Sequence, residues 1–242
     1  GDGIIKANEI ARAAKKLNVK DPEITMTNWI MDKVELQQAR RNIEKYGPTL
    51  DYLQHEVVEA VVDADIILAH YAPIPADLIK AAKNLKIIGI CRAGCENVDI
   101  KEATRKGVVV FRVMGRNAEA VSDFTIGLLI SEARNIAKSH MLLKQDIWFK
   151  PQEEKVHDLK GKTVGIVGFG HIGRLVAKKL IGFDVKMLVY DPYVDEGEFK
   201  RVKAKPTTLN NLCKKSDYIC IHVRSTEETK GMINEGLISL MK

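Results

Sequence analysis

A chain of 242 residues, 45% hydrophobic and 29% charged, has room for one large domain or two modest ones and is ordinary for a globular protein. No apolar run approaches the roughly 20 residues that span a membrane. Gly1-Asp2-Gly3-Ile4 has no signal-peptide character, and four cysteines do not make a disulfide scaffold in a chain this long, so the cytoplasm is the expected compartment. The formal charge of +6 is scattered, and its densest groups, Arg40-Arg41 and Lys200-Arg201-Val202-Lys203, read as solvated helix faces; no nucleic-acid partner and no membrane partner is expected.

Ile4 to Leu17 carries apolar residues at helical spacing, Val34 to Ile43 reads as an exposed helix and Val57 to Val62 as a short one. No strand precedes the first helix, which leaves a first strand upstream as an expectation. Asp65 to His70 is a β-rich run that ends in the breakers Ala72-Pro73-Ile74-Pro75. A helix over Asp77 to Ala82 and a strand over Lys86 to Ile90 follow. Cys91 and Cys95 have no second Cys or His pair at zinc-site spacing, so no metal is expected. A short helix over Ile100 to Arg105 and a strand over Val108 to Phe111 come next. Asn117 then caps a long helix running to about Lys144, with Val121, Phe124, Thr125, Leu128 and Leu129 on its apolar side. Trp148 to Asp158 reads as a surface loop. Strands alternating with helices predict an α/β fold on parallel sheets, the amino-terminal domain ending near Asp99 (1–98, then 99–242).

The most informative stretch runs from Thr163 to Ala177. Gly168, Gly170 and Gly173 form G-x-G-x-x-G between a buried-strand run and a helix rich in Leu, Val and Ala, a context that gives an otherwise weak pattern its weight. Gly168 permits the bend out of the strand, Gly170 lets a diphosphate approach the backbone, and Gly173 lets helix and strand pack closely. The amides that open the helix face the phosphates with the positive end of the helix dipole behind them. A second strand, Val185 to Tyr190, ends in Asp191, 18 residues past Gly173, where a carboxylate accepts from both ribose hydroxyls and repels a 2′-phosphate. NAD is therefore the expected cofactor. The competing reading is a glycine turn in an unrelated α/β protein, with Asp191 a loop acid. A third strand, Tyr218 to Val223, brings His222 and Val223 to the crevice, although a histidine closing a buried strand is more often structural than catalytic.

Lys86-Ile87-Ile88-Gly89 through Arg92-Ala93-Gly94, Asn97-Val98-Asp99, Gly115 to Asp123, Leu159 to Thr163, Tyr190-Asp191-Pro192-Tyr193 and Ser216 to Gly231 together resemble the D-isomer-specific 2-hydroxyacid dehydrogenases, of which phosphoglycerate dehydrogenase is a well-known member. The resemblance runs in register from about Asp65 to Lys242 and is loose before that. It implies a Rossmann-type doubly wound NAD domain, a smaller flavodoxin-like substrate domain and a hinge between them. It also implies hydride transfer between a D-2-hydroxy acid, or its 2-keto acid, and the nicotinamide. His171 and Ile172 would lie at the diphosphate, Asp191 at the adenosine ribose, and Val223 and Thr229 near the adenine side. Arg92, Ala93, Gly94 and Cys95 would face the substrate carboxylate. His70 and Tyr71 would sit in a loop facing substrate, with an ordinary strand-end role equally open. Where relatives usually read Asn-Thr-Pro, this chain has Arg112-Val113-Met114, and Arg224 replaces a Pro common two residues after His222.

In this family a His backed by a Glu takes the hydroxyl proton and an Arg polarises the keto acid. All three are expected beyond Lys242, so no catalytic residue is expected within this sequence, the sequence alone is expected to be inactive, and the parent chain is expected to run on for about ninety residues, completing a sheet of about six strands. Two other functions compete with the dehydrogenase: a non-catalytic NAD-sensing relative, similar to the C-terminal-binding protein corepressors, and a remnant that neither binds nor reacts. The resemblance also implies a homodimer formed through the NAD-binding domain.

Overall fold

The computed structural model describes residues 1–17, 19, 21–53, 55–148 and 156–242. They form two compact units, Gly1–Arg116 and Asn117–Lys242. Among them no helix is long and apolar enough to cross a membrane.

The first unit begins with α1 (Ala7–Ala14) and α2 (Lys33–Tyr46), a 3-10 turn at Leu50–Tyr52 and α3 (His55–Val61). Asp32 caps α2 by accepting from the amides of Val34 and Glu35, both at 2.9 Å. Leu36, Ala39 and Ile43 form the buried stripe of α2, spaced at helical intervals against Trp29. Then β1 (Ile66–Ala69), α4 (Ala76–Ala81), β2 (Ile87–Ile90), α5 (Ile100–Lys106) and β3 (Val109–Arg112) alternate. The three strands make a parallel sheet in the order β1-β2-β3. Its core gathers Ile88 and Ile90 from β2 with Leu78 and Ile79 from α4, Ala103 from α5 and Val108. Asp99 caps α5 at the amide of Glu102, and Gly107 ends it at a φ of 73°, a left-handed position suited to glycine.

The second unit opens with α6 (Ala118–Ala133) and α7 (Ile136–Leu143). It continues through β4 (Thr163–Val167), α8 (His171–Leu180), a 3-10 turn at Ile181–Phe183, β5 (Lys186–Tyr190), α9 (Glu196–Lys200), β6 (Ala204–Pro206), α10 (Leu209–Lys215), β7 (Tyr218–Ile221) and α11 (Glu235–Ile238). The sheet order is β6-β5-β4-β7, all parallel. A parallel strand covered on both faces is apolar at consecutive positions, and Val164, Gly165, Ile166 and Val167 are all buried. Val164 and Ile166 share a core with Leu129 of α6 and Val176, Ala177 and Leu180 of α8. A Cβ on Gly165 would meet Leu212 and Ser216 at the other layer, so α10 lies against that strand's opposite face. Lys179 ties α8 to α6, with Nζ 2.9 Å from Glu119 and 2.6 Å from the Ser122 hydroxyl.

Three expectations change and one element is new. The division between units falls after Arg116, not at residue 99, because β3 pairs in register with β2 and carries α5 with it. The single helix expected to Lys144 is broken: Asn135, at a φ of 52°, separates α6 from α7, and asparagine is among the few residues that adopt this conformation readily. The buried stripe of α6 is Ala118, Ser122, Leu129 and Ala133, whereas Phe124 and Leu128 are exposed. A three-residue strand, β6, lies at the sheet edge; Pro206 ends it opposite Val189, whose carbonyl accepts from the Thr207 amide at 2.9 Å, so the amide that proline lacks is not one the pairing uses. The loop expected from Trp148 to Asp158 lies largely outside the described residues.

Candidate functional site

In a parallel sheet whose order runs outward both ways from one strand, the crevice opens at the carboxyl ends beside that strand. Here the strand is β4, flanked by β5 and β7, and the glycine turn leaves its carboxyl end. Gly168 has a φ of 93°, and a Cβ there would lie 2.9 Å from Val223 and from the carbonyl carbon of His222. Conformation and contact both restrict that position to glycine. The Gly168 amide donates to the Tyr190 carbonyl at 2.8 Å, and the His222 amide donates to Val167 at 2.7 Å, so the ends of all three strands are fixed together. Gly170 is the residue before α8; a Cβ on it would meet nothing within 4 Å. Gly173 is buried in the first turn of α8, and a Cβ on it would overlap the Gly168 carbonyl oxygen. His171 is exposed and Ile172 half-buried at the open end of the helix.

Asp191 follows β5 directly. Its Oδ2 accepts from the Phe169 amide at 2.7 Å and its Oδ1 from the Tyr193 amide at 3.0 Å. The acid at the end of β5 and the glycine turn at the end of β4 therefore belong to one site. Each carboxylate oxygen has a second lone pair, and the side chain is half-buried, so it retains acceptor capacity. Phe169 went unnoticed in the sequence: its ring is 1% exposed and lies 5.0 Å from that of Phe199, and its carbonyl accepts from Arg174 Nε at 3.0 Å. Arg174 also pairs with Glu198. An aromatic residue inside a glycine turn is the one sequence signal that this turn is anchored from below.

His222 is half-buried, burial pushes its pKa down, and Nε2 is buried without a partner among the described residues. Val223 lies against Gly168. Thr229 stands farther along the same loop, where its hydroxyl bonds to the Arg224 carbonyl and lies 3.2 Å from that of Thr226. That turn is self-contained.

The residues expected to face substrate gather in the first unit. Arg92 is 3.0 Å from Glu96 and 3.5 Å from Glu44, and its guanidinium lies 4.6 Å from the centre of the Tyr71 ring. Arg40 stacks on the same ring at 4.0 Å. Glu96 folds its carboxylate over the Cα of Gly94, and Arg112, one of the unusual residues of the chain, reaches the Ala93 carbonyl at 3.4 Å and Cys95 Sγ at 4.0 Å. His70 directly follows β1. It is 1% exposed, and its Nδ1 donates to Asp2 Oδ2 at 3.0 Å. Asp2 also accepts from the amides of Ile4, Ile5 and Tyr71. Burial alone would raise its pKa, but the bonds from His70, Ile5 and Ile4 pull it down from 3.8 to about 2. No motif marks Asp2 in the sequence. The cysteines are free, and burial pushes the Cys220 thiol up to about 11.

Residues 126–242 match the family described as D-isomer specific 2-hydroxyacid dehydrogenase, NAD binding domain. Over 232 residues, 95% of its length, the chain is 34% identical to the hydroxypyruvate reductase of Thermotoga maritima and covers 72% of that protein. It belongs to the D-isomer-specific 2-hydroxyacid dehydrogenase family. A D-3-phosphoglycerate dehydrogenase of Methanocaldococcus jannaschii is 32% identical over 78% of the chain, which spans only 36% of that longer relative. Among solved structures, the NAD-dependent formate dehydrogenase of Staphylococcus aureus in complex with NAD aligns with a TM-score of 0.66 at 29% identity, over 78% of this chain and 57% of that one. The matched domain of that family is one that binds NAD. The residues of this chain fit that cofactor. Gly170 leaves open backbone where a diphosphate would lie, and Asp191 stands beside the turn with acceptor capacity to spare.

Proposed function

We propose that the protein is an NAD-dependent dehydrogenase interconverting a small D-2-hydroxy acid and its 2-keto acid. The bond from the Phe169 amide to Asp191 carries this reading, because it joins the phosphate-facing turn to the ribose-facing acid. Bound NAD supplies the nicotinamide C4 that takes or gives the hydride. Gly168 and Gly173 hold the turn in shape, Gly170 admits the diphosphate, and the amides of His171 and Ile172 face it. Asp191 accepts from the ribose hydroxyls and repels a 2′-phosphate. His222, Val223 and Thr229 border the crevice. In the first unit, the loop Arg92-Ala93-Gly94-Cys95 offers amides to the substrate carboxylate, with Tyr71 beneath Arg92. Neither His70, committed to Asp2, nor the half-buried His222 is assigned the acid–base role.

The relatives' names point to hydroxypyruvate-like and phosphorylated three-carbon acids as the substrates to try first. The test is NADH oxidation by the intact protein with hydroxypyruvate, glyoxylate, pyruvate and 3-phosphohydroxypyruvate. Turnover of at least one is expected, with NADH preferred over NADPH and Asp191→Ala narrowing that preference. Tight NADH binding without turnover of any acid, or a preference for NADPH, overturns the reading.

We also propose that a second copy of the chain covers the exposed apolar residues of α6 and α7, among them Phe124, Leu128, Met141 and Leu143. Sedimentation equilibrium is expected to give a dimer for the wild type and a monomer for Phe124→Glu/Leu128→Glu. A wild-type monomer at micromolar concentration rules this out.

A further inference from the structure

The glycine turn leaves the central strand of its sheet region, and the loops leaving β5 and β7 flank it on either side. A direct contact between those two outer loops must therefore pass over the mouth of the turn. One exists. The Tyr193 hydroxyl donates to Glu228 Oε2 at 2.9 Å, across 35 residues of sequence.

The bridge is built at both ends. At one, the Tyr193 amide donates to Asp191, whose other oxygen holds the Phe169 amide of the turn. At the other, Glu228 precedes Thr229, whose hydroxyl fastens the loop back on itself through the Arg224 carbonyl. Yet the Tyr193 ring is 82% exposed. A bulky aromatic residue fixed at its backbone and its tip, with most of its surface left bare, is not explained by packing within the fold. It is already ordered, so a planar ligand stacking on it bears little further cost in lost freedom. The Glu228 carboxylate, through this hydrogen bond, pushes the Tyr193 phenol above its ordinary range, so the donor proton is in place at neutral pH.

We propose that Tyr193 and Glu228 form a clasp over the adenosine half of the cofactor, with Asp191 at the ribose, the Tyr193 ring as an outer wall for the base, and the hydroxyl–carboxylate bond holding that wall shut. Tyr193 is thus a positioning residue for NAD, and the assignment rests on the nucleotide site proposed above. The clasp acts on departure: the bond closes behind the ligand and slows its release, while association is left largely unchanged.

The test uses stopped-flow fluorescence of bound NADH, with ADP-ribose and reduced nicotinamide mononucleotide as half-cofactor probes. Tyr193→Phe and Glu228→Ala are each expected to raise the NADH dissociation rate about three- to tenfold, the range for one ordinary hydrogen bond at a solvent-exposed, screened position. Association should change less than about twofold. ADP-ribose affinity should fall by the same factor as NADH affinity, and mononucleotide affinity should not move. Glu228→Gln keeps an acceptor and should restore most of the loss. Both side chains are exposed, so thermal unfolding of the unliganded variants should match the wild type. Unchanged dissociation rates overturn the clasp. So does faster association with tighter binding, because the bridge would then be a plug. A wild type that binds neither NADH nor ADP-ribose instead removes the nucleotide site itself, and the clasp with it.

Discussion

Gly170 and Gly173 stand three residues apart, and a methyl group means something different at each. At Gly170 the backbone has φ −74° and ψ −156°, ordinary values, and a Cβ would point into open space. Gly170→Ala is therefore expected to leave folding stability within about 0.5 kcal/mol of wild type, or slightly above it, because alanine restricts the unfolded chain. The same methyl would stand where a diphosphate must approach the backbone, so NADH affinity should fall by about tenfold or more, roughly 1.4 kcal/mol. Urea denaturation and a fluorescence titration on one preparation check both halves. Equal NADH affinity in variant and wild type would mean the phosphates lie elsewhere. At this scale the sequence was most informative where chemistry fixes spacing: the three glycines and Asp191, picked out by their spacing, meet at the carboxyl ends of β4 and β5. It was silent on Asp2, Glu96 and Phe169, whose roles depend on partners brought near by the fold.

Among the elements, α8 depends most on a single missing side chain. Its first turn packs so closely on the strand end that a Cβ at Gly173 would overlap the Gly168 carbonyl oxygen, a backbone atom that cannot swing away. Gly173→Ala is expected to push the helix outward, at a cost of about 1–3 kcal/mol in stability, and to weaken NADH binding at the same time. Binding and folding would separate for Gly170→Ala and fall together for Gly173→Ala. A variant at position 173 with wild-type stability would show that the packing is looser than the structure has it. The element pattern also explains what sequence periodicity can deliver. Most of the strands stood out because buried parallel strands are continuous apolar runs, but Ala204–Pro206 is too short and too polar to register. The helix beginning at Ala118 was read through its break because apolar residues continue past Asn135, whose left-handed φ depends on tertiary setting. Its apolar side was misjudged for a related reason: Phe124 and Leu128 are apolar yet exposed, and hydrophobicity alone does not say which face meets α8.

Among the described residues three apolar clusters stand in two separate units, two of them in the first, which also holds the buried pair Asp2–His70. A carboxylate held at a pKa of about 2, against 3.8 unfolded, stabilises the fold wherever it is ionised in both states. That contribution, about 2 kcal/mol, is complete above about pH 5 and is lost as the pH falls through the unfolded and then the folded pKa, down to about pH 1. Trp29, 3% exposed and packed with Leu36, Ala39 and Ile43, reports on unfolding of the first unit, whereas Trp148 is largely exposed. Urea unfolding followed by Trp29 fluorescence should show stability falling over that acid window. In Asp2→Asn about 2 kcal/mol should already be missing at neutral pH, and the fall should be shallower by that amount. Parallel curves for the two proteins would show that the pair adds nothing.

Among the described residues every strand pairing in both sheets is parallel. No two neighbouring strands can zip together as a hairpin, and each must wait for an intervening crossover to be laid down. The pairing of Val164 with Tyr218 spans β5, β6 and the helices between them. During synthesis, β4 therefore leaves the ribosome as an apolar ribbon with one flank bare until more than fifty residues have followed. Refolding yield, more than final stability, is where a chain of this topology is most vulnerable, and crowding or a raised concentration before β7 arrives is the condition that exposes it.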